Sequence, residues 1–361
     1  MRNGLLLGMG SLVLMAVACR EAPPPPRAAA PAAAPATPPP PSMGSAKLRS
    51  FFREKAGEAR PAVHDSPEKI ALGRMLFFEK RLSKNHDLSC NSCHDLASFG
   101  VDNKPTSEGH KGQRGARNAP TVFHASGHVA QFWDGRAATL EDQAKGPVMN
   151  PVEMAMPDEG RILATLGSMP EYVKSFKASF PTEKKALSVD NAARAIAAFE
   201  RQLITRSRFD RFLAGEDEAL TAQERLGLER FASLGCTTCH NGPSMGGNSF
   251  QKLGVMEEYP TEDKGRFGVT QNDEDVSKFR VPTLRNVAKT GPYFHDGSVP
   301  DLPTAVRLMG KHQLGEALAD NEVEDIVAFL QSLTGDLPSA DLISPPALPP
   351  STAKTPKPDP T

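Results

Sequence analysis

Two pentapeptides carry most of the chemistry in this sequence: Cys90-Asn-Ser-Cys93-His94 and Cys236-Thr-Thr-Cys239-His240. Cys-x-x-Cys-His sets two thiols one helical turn apart, so that each can bond one vinyl group of a porphyrin. The adjacent imidazole is thereby aimed at the iron as its proximal ligand, which is the attachment pattern of c-type haem. A structural zinc site would want its two Cys-x-x-Cys pairs about 15 to 20 residues apart. These pairs lie 146 residues apart. A thioredoxin-like redox pair would want a βαβ context, which the pattern lacks. Two covalent haems follow.

One histidine per iron leaves the opposite face of each haem undecided. Candidates are His64, His86, His110, His124, His128, His295, His312 and the methionines, among which composition does not choose. The single tryptophan, Trp133, stands in Gln131-Phe-Trp-Asp-Gly-Arg136 and reads by itself as a packing residue.

The elements that must position these groups repeat. Before the first motif runs SPEKIALGRMLFF, in which Ser66 suits an N-cap and Pro67 the first turn. Before the second runs TAQERLGLERF, in which Thr221 and Glu224 form a capping-box pattern. Each half closes on an amphipathic helix, with Ile196, Phe199 and Leu203 on one face of the first and Val323, Ile326, Val327 and Leu330 on one face of the second. The pieces Ile196-Ala-Ala-Phe199 and Ile326-Val-Ala-Phe329 read as one element used twice. The expected fold is all-α, with two cytochrome c-like domains at 46–205 and 206–335, each carrying one haem. The first holds the longer insert, between His94 and Asn191, and Trp133 lies in it.

The ends read differently. Arg2 precedes an apolar run from Leu5 to Val17, the length of a signal-peptide core and too short to span a bilayer. Ala16-Val17-Ala18-Cys19 resembles a lipoprotein cleavage site, although Ala16 stands where leucine is usual; residues 1–19 are thus expected to be an export signal with a lipid anchor at Cys19. The expected location is the periplasm, on a membrane. Of 33 prolines, 18 lie in two flanking segments, leaving a proline-poor middle suited to helices. Residues 20–45 are expected to be a semi-stiff tether and 336–361 a disordered tail. A net charge of −1 argues against a nucleic-acid partner.

Three longer stretches add a resemblance: FWDGRAATLEDQAKGPVMNPVEM (132–154), RNAPT (117–121) and GPYFHDGSVPDLPTAVRLMGKHQLG (291–315). From about Ser66 to Gly335 the chain resembles the bacterial dihaem cytochrome c peroxidases, a family that also contains MauG-type enzymes. The resemblance implies a peroxide-reactive haem on His94 with a removable distal histidine matching His110, and an electron-receiving haem on His240 with Met309 opposite. It implies Trp133 between the haems, a catalytic carboxylate at Glu153, a pocket glutamine at Gln143, and a calcium ion held by the Asn118 side chain and the carbonyls of Thr290 and Pro292. The chemistry agrees: methionine opposite histidine raises a haem potential, and a buried carboxylate can shift the proton that peroxide cleavage needs.

The implied activity is reduction of hydrogen peroxide with electrons from a small donor, a cytochrome c or a copper protein. Two alternatives stand beside it. A MauG-type enzyme oxidising a partner protein would want a tyrosine in place of Met309, and the chain has three tyrosines. A dihaem electron carrier would leave Glu153 and Gln143 without a task, and the long first-half insert argues against it. Members of the family often pair as homodimers, for which the sequence gives no decisive signal.

Overall fold

The computed structural model describes residues 31–53 and 65–361. The export signal and Cys19 lie outside the described residues. Among these residues no helix is long and apolar enough to cross a membrane.

Each half is built on a crossed helix pair. The first pair is Pro67–Phe77 and Val189–Glu200; the second is Ala222–Ser233 and Asp320–Gln331. Ser66 caps the first helix through Lys69 N–H at 3.2 Å, with Pro67 in its first turn. Thr221 and Glu224 form a reciprocal box, the Glu224 carboxylate accepting the Thr221 N–H at 2.8 Å. The crossings match residue for residue. A Cβ on Gly73 would collide with the Ala195 carbonyl, and one on Gly227 with the Asp325 carbonyl. Only glycine lets these backbones meet. Beside each glycine an aromatic pair seals the crossing, Phe77 with Phe199 and Phe231 with Phe329, both with centroids 5.4 Å apart.

Two hydrophobic cores result, one centred on Leu72, Leu76, Phe77, Tyr172, Phe176 and Phe199, the other on Phe209, Leu228, Phe231, Ile326 and Phe329. Strands are short, as expected: Arg206–Ser207 pairs antiparallel with Gly335–Asp336, and Phe250–Lys252 with Lys278–Arg280.

The chain ends correct the sequence reading. The helix Ser45–Ser50 belongs to the second half, where Leu48 and Phe52 are buried in its core and Phe52 meets Phe209 edge-on at 5.1 Å. Burial of such side chains contributes about 2 kcal/mol each, which outweighs the proximity in sequence that suggested a first domain starting at 46. The later part of the expected tether, from Ala34, also lies on this half. Thr37 exchanges hydrogen bonds with Asn321, and Ser42 and Met43 bond Glu229.

Conversely, the tail expected to be disordered crosses back over the first half. Leu337, Leu342 and Ile343 pack against its core, and arginines of that half take tail carbonyls. Proline suppresses helix and strand but leaves every carbonyl able to accept, so a proline-rich composition restricts the backbone without deciding its partner.

Candidate functional site

The two Cys-x-x-Cys-His segments are positioned in the same way. Cys90–Cys93 forms one helical turn and Cys236–Thr238 a tighter one. His94 Nδ1–H donates to the Gly100 carbonyl at 3.4 Å, and His240 Nδ1–H to the Met245 carbonyl at 3.3 Å. The backbones of Pro120 and Pro282 face the same two imidazoles. Gly100 has φ +76°, and a Cβ there would press on Thr121, Val122 and Phe123. Burial keeps both rings neutral: it lowers His94 and brings His240 down to about 4. With Nδ1 spent on a carbonyl, Nε2 is the nitrogen left to bind iron.

The donor set fits covalent haem and not zinc. None of the four motif cysteines is in a disulfide. Burial pushes the Cys90 and Cys236 thiols up to about 12. Among the described residues no group of three or more His, Cys, Asp and Glu side chains could hold a metal ion. A further fit is Arg280, buried to 2 % exposure, whose Nη1 has no hydrogen-bond partner among the described residues. No carboxylate is paired with it, and burial lowers it to about 10. A porphyrin brings carboxylates of its own. Arg280 ends the strand Lys278–Arg280 opposite Phe250, and its Nε donates to the Phe132 carbonyl at 3.3 Å, so its guanidinium lies beside Trp133.

Trp133 lies where the halves meet. Its indole N–H donates to the Asn118 carbonyl at 2.9 Å, and its own carbonyl accepts the Arg280 N–H at 2.7 Å. Asn118 is buried; its N–H donates to the His295 carbonyl at 2.7 Å and its Nδ2 to the Lys104 carbonyl at 2.9 Å. Asn118 is thus tied to the segment that follows Thr290 and Pro292, with its side-chain oxygen left over.

Glu153 and His110 lie on two segments joined backbone to backbone. Half-buried Glu153 has its carboxyl raised above the ordinary range by partial desolvation, opposed by the Asn150 amide, which donates to Oε1 at 2.6 Å. The Glu153 carbonyl accepts the His110 N–H at 2.7 Å. His110 is buried in a tight turn whose next residues, Lys111 and Gly112, both have positive φ. Its Nε2–H donates to the Thr361 main-chain oxygen at 3.3 Å. Gln143 is half-buried on the helix Leu140–Met149, and Met309 is half-buried at the end of the helix Leu302–Met309. No direct contact joins Gln143 to Glu153 or Met309 to His240 among the hydrogen bonds described.

Three of the other candidate histidines have side-chain partners. His124 Nε2 lies 2.9 Å from the Thr205 hydroxyl, His295 lies 3.1 Å from the Thr261 hydroxyl and stacks on Phe279, and His312 bonds the Glu257 carbonyl at 2.9 Å. His64 lies outside the described residues. All three tyrosines are also engaged: Tyr172 with Glu79, Tyr259 with Ser298, and Tyr293 with the Val287 carbonyl.

Sequence reasoning missed Arg280 and the carbonyls that orient the haem histidines. A signal existed: Pro120-Thr121 and Pro282-Thr283 recur at matching places. The two threonine hydroxyls donate to the Phe99 and Ser244 carbonyls, at 2.7 and 2.6 Å.

The description of the di-haem cytochrome c peroxidases matches residues 67–218. The chain is 49% identical to the cytochrome c551 peroxidase of Pseudomonas aeruginosa, over 81% of this chain and 85% of that one. It is 47% identical to the cytochrome c551 peroxidase of Nitrosomonas europaea, over 81% of this chain and 87% of that one. Among solved structures it is similar to a MauG-like protein associated with microbial copper homeostasis, with a TM-score of 0.70 and 30% identity, covering 82% of this chain and 96% of that one.

Proposed function

The chain belongs to the di-haem cytochrome c peroxidase family, and from that premise we propose how its residues divide the work of the enzyme. It is an oxidoreductase that reduces hydrogen peroxide with electrons from a redox donor. Cys90, Cys93 and His94 would hold one c-type haem and Cys236, Cys239 and His240 the other. When bound, these groups supply electron storage on the His240 side and an iron site for peroxide on the His94 side.

The protein residues do the rest. Glu153 takes the proton from the inner peroxide oxygen and returns it to the outer one, which requires a carboxyl that is neither always ionised nor always protonated near neutrality. Asn150 fixes one oxygen of that carboxyl, leaving the other to meet substrate, and Gln143 completes the pocket. His110 is the distal residue that must leave before peroxide can bind. Met309 would be the second protein ligand on the His240 side, Trp133 would carry electrons between the halves, and Asn118, with the carbonyls of Thr290 and Pro292, would hold calcium. Export through residues 1–19 places the enzyme in the periplasm, anchored at Cys19 and supplied by a small cytochrome or copper protein.

One observation carries this reading: the Glu153 carbonyl accepts the His110 N–H, so a direct backbone hydrogen bond links the proton-handling residue to the residue that gates peroxide. The test is peroxide turnover by fully oxidised protein and by protein given one electron beforehand. Turnover only after pre-reduction supports a gated site with His110 as the gate. Equal turnover removes the gate, and no turnover in either state leaves an electron carrier.

A further inference from the structure

We infer that residues 344–361 form a strap that holds His110 in its released position, through the Thr361 main-chain oxygen and Lys84. This rests on His110 being the removable haem ligand proposed above.

The strap is fastened along its length. The Ser344 and Pro349 carbonyls each accept from an arginine of the first half, Arg74 and Arg81, at 2.7 Å. Thr352 donates to the Ser168 carbonyl at 2.9 Å, and the Lys357 carbonyl accepts from Arg161 at 2.7 Å. Its prolines have their φ set in advance, so little chain entropy is lost in laying it down.

Its far end converges on the site. The Asp359 N–H donates to the Lys84 carbonyl at 2.9 Å, and Lys84 Nζ donates to the Thr361 main-chain oxygen at 2.7 Å. The same oxygen takes His110 Nε2–H at 3.3 Å. Lys84 N–H in turn donates to the Met154 carbonyl at 2.8 Å, next to the Glu153 carbonyl that holds His110 N–H. Lys84 therefore joins the strap to the backbone that carries both functional residues.

The chemistry is exclusive. A main-chain oxygen only accepts, so His110 must present Nε2 protonated, and a protonated ring nitrogen has no lone pair for iron. While Thr361 holds this nitrogen, His110 cannot return through it.

The experiment compares three holoenzyme variants with the parent: deletion of residues 358–361, Lys84→Ala, and His110→Ala. The readout is the fraction of histidine-bound, low-spin haem at the His94 position in one-electron-reduced protein, followed by electron paramagnetic resonance and absorption. Deletion and Lys84→Ala should each shift the equilibrium toward the bound form by about fivefold, the size expected for one hydrogen bond. If His110→Ala abolishes the low-spin form while neither other variant moves it, the strap is overturned and the ligand reading stands. If His110→Ala leaves the low-spin form unchanged, the ligand reading fails and the strap with it.

Discussion

The indole N–H of Trp133 donates to the backbone carbonyl of Asn118 at 2.9 Å, while Asn118 N–H donates to the carbonyl of His295 at 2.7 Å. A residue of the first half thus holds the tryptophan on one side and the second half on the other. The Trp133 carbonyl closes the arrangement by accepting Arg280 N–H. The indole therefore has a fixed plane, which a side chain serving only to fill space would not need.

Trp133→Phe keeps an aromatic ring but leaves the Asn118 carbonyl without its donor. Stability should fall by about 1 kcal/mol, and turnover should fall further than that loss of folded protein explains. Thermal unfolding and peroxide turnover at matched haem content check this. Unchanged turnover would make Trp133 a packing residue only.

Glu153→Gln should retain both haems and lose turnover by about 100-fold or more, the usual contribution of a positioned acid–base group. It also makes a pH signature. Burial raises the folded carboxyl above its unfolded value, so its contribution to stability is complete at low pH and is lost as pH rises through the folded pKa. The variant should unfold at a higher temperature than the parent at neutral pH, and the difference should vanish near roughly pH 4.

His110→Ala should make the oxidised enzyme active without prior reduction. Stopped-flow peroxide consumption by oxidised protein measures it directly. A variant that still requires an electron first would remove His110 as the gate.

How much of this was legible follows from which interactions are local. The haem motifs, the caps at Ser66 and Thr221, and the Ile-x-x-Phe helices are fixed by spacings of a few residues, and all were readable. The glycine crossings were not: Gly73 and Gly227 matter because of carbonyls at Ala195 and Asp325, about a hundred residues away, and an isolated glycine in a helix signals only a weak helix. The exchange of chain ends was hidden for a related reason. Leu48, Phe52, Leu337 and Ile343 show that something is buried, and nothing in their spacing says against which half. In the site, the family resemblance named Glu153 and His110 separately, while their shared hydrogen bond appears only in three dimensions.

Arg280→Met separates two accounts of a buried guanidinium. If a porphyrin carboxylate faces Nη1, removing the charge should lower the reduction potential of the His240 haem in a spectroelectrochemical titration, because positive charge favours the reduced form. If nothing faces it, loss of an unpaired buried charge should leave the potentials unchanged and stabilise the protein.

The hydroxyl of Thr205 gives a final prediction, for it joins matching residues of the two halves. His124 Nε2 lies 2.9 Å from it and Asn286 Nδ2 3.0 Å. Both residues sit at φ 61°, each four positions after the proline that faces a haem histidine. Burial brings the folded His124 down to about 4, aided by the nearby Arg285 charge. A folded pKa below the unfolded value means that stability is complete above about pH 6.5 and is lost as pH falls toward 4. The loss should reach about 2–3 kcal/mol over that window. His124→Asn installs the side chain that the second half already uses, with an amide that can meet the same hydroxyl and does not titrate. Denaturant unfolding of parent and variant from pH 7 to pH 4 should show the parent losing more stability, and equal losses would mean that His124 is not the titrating group.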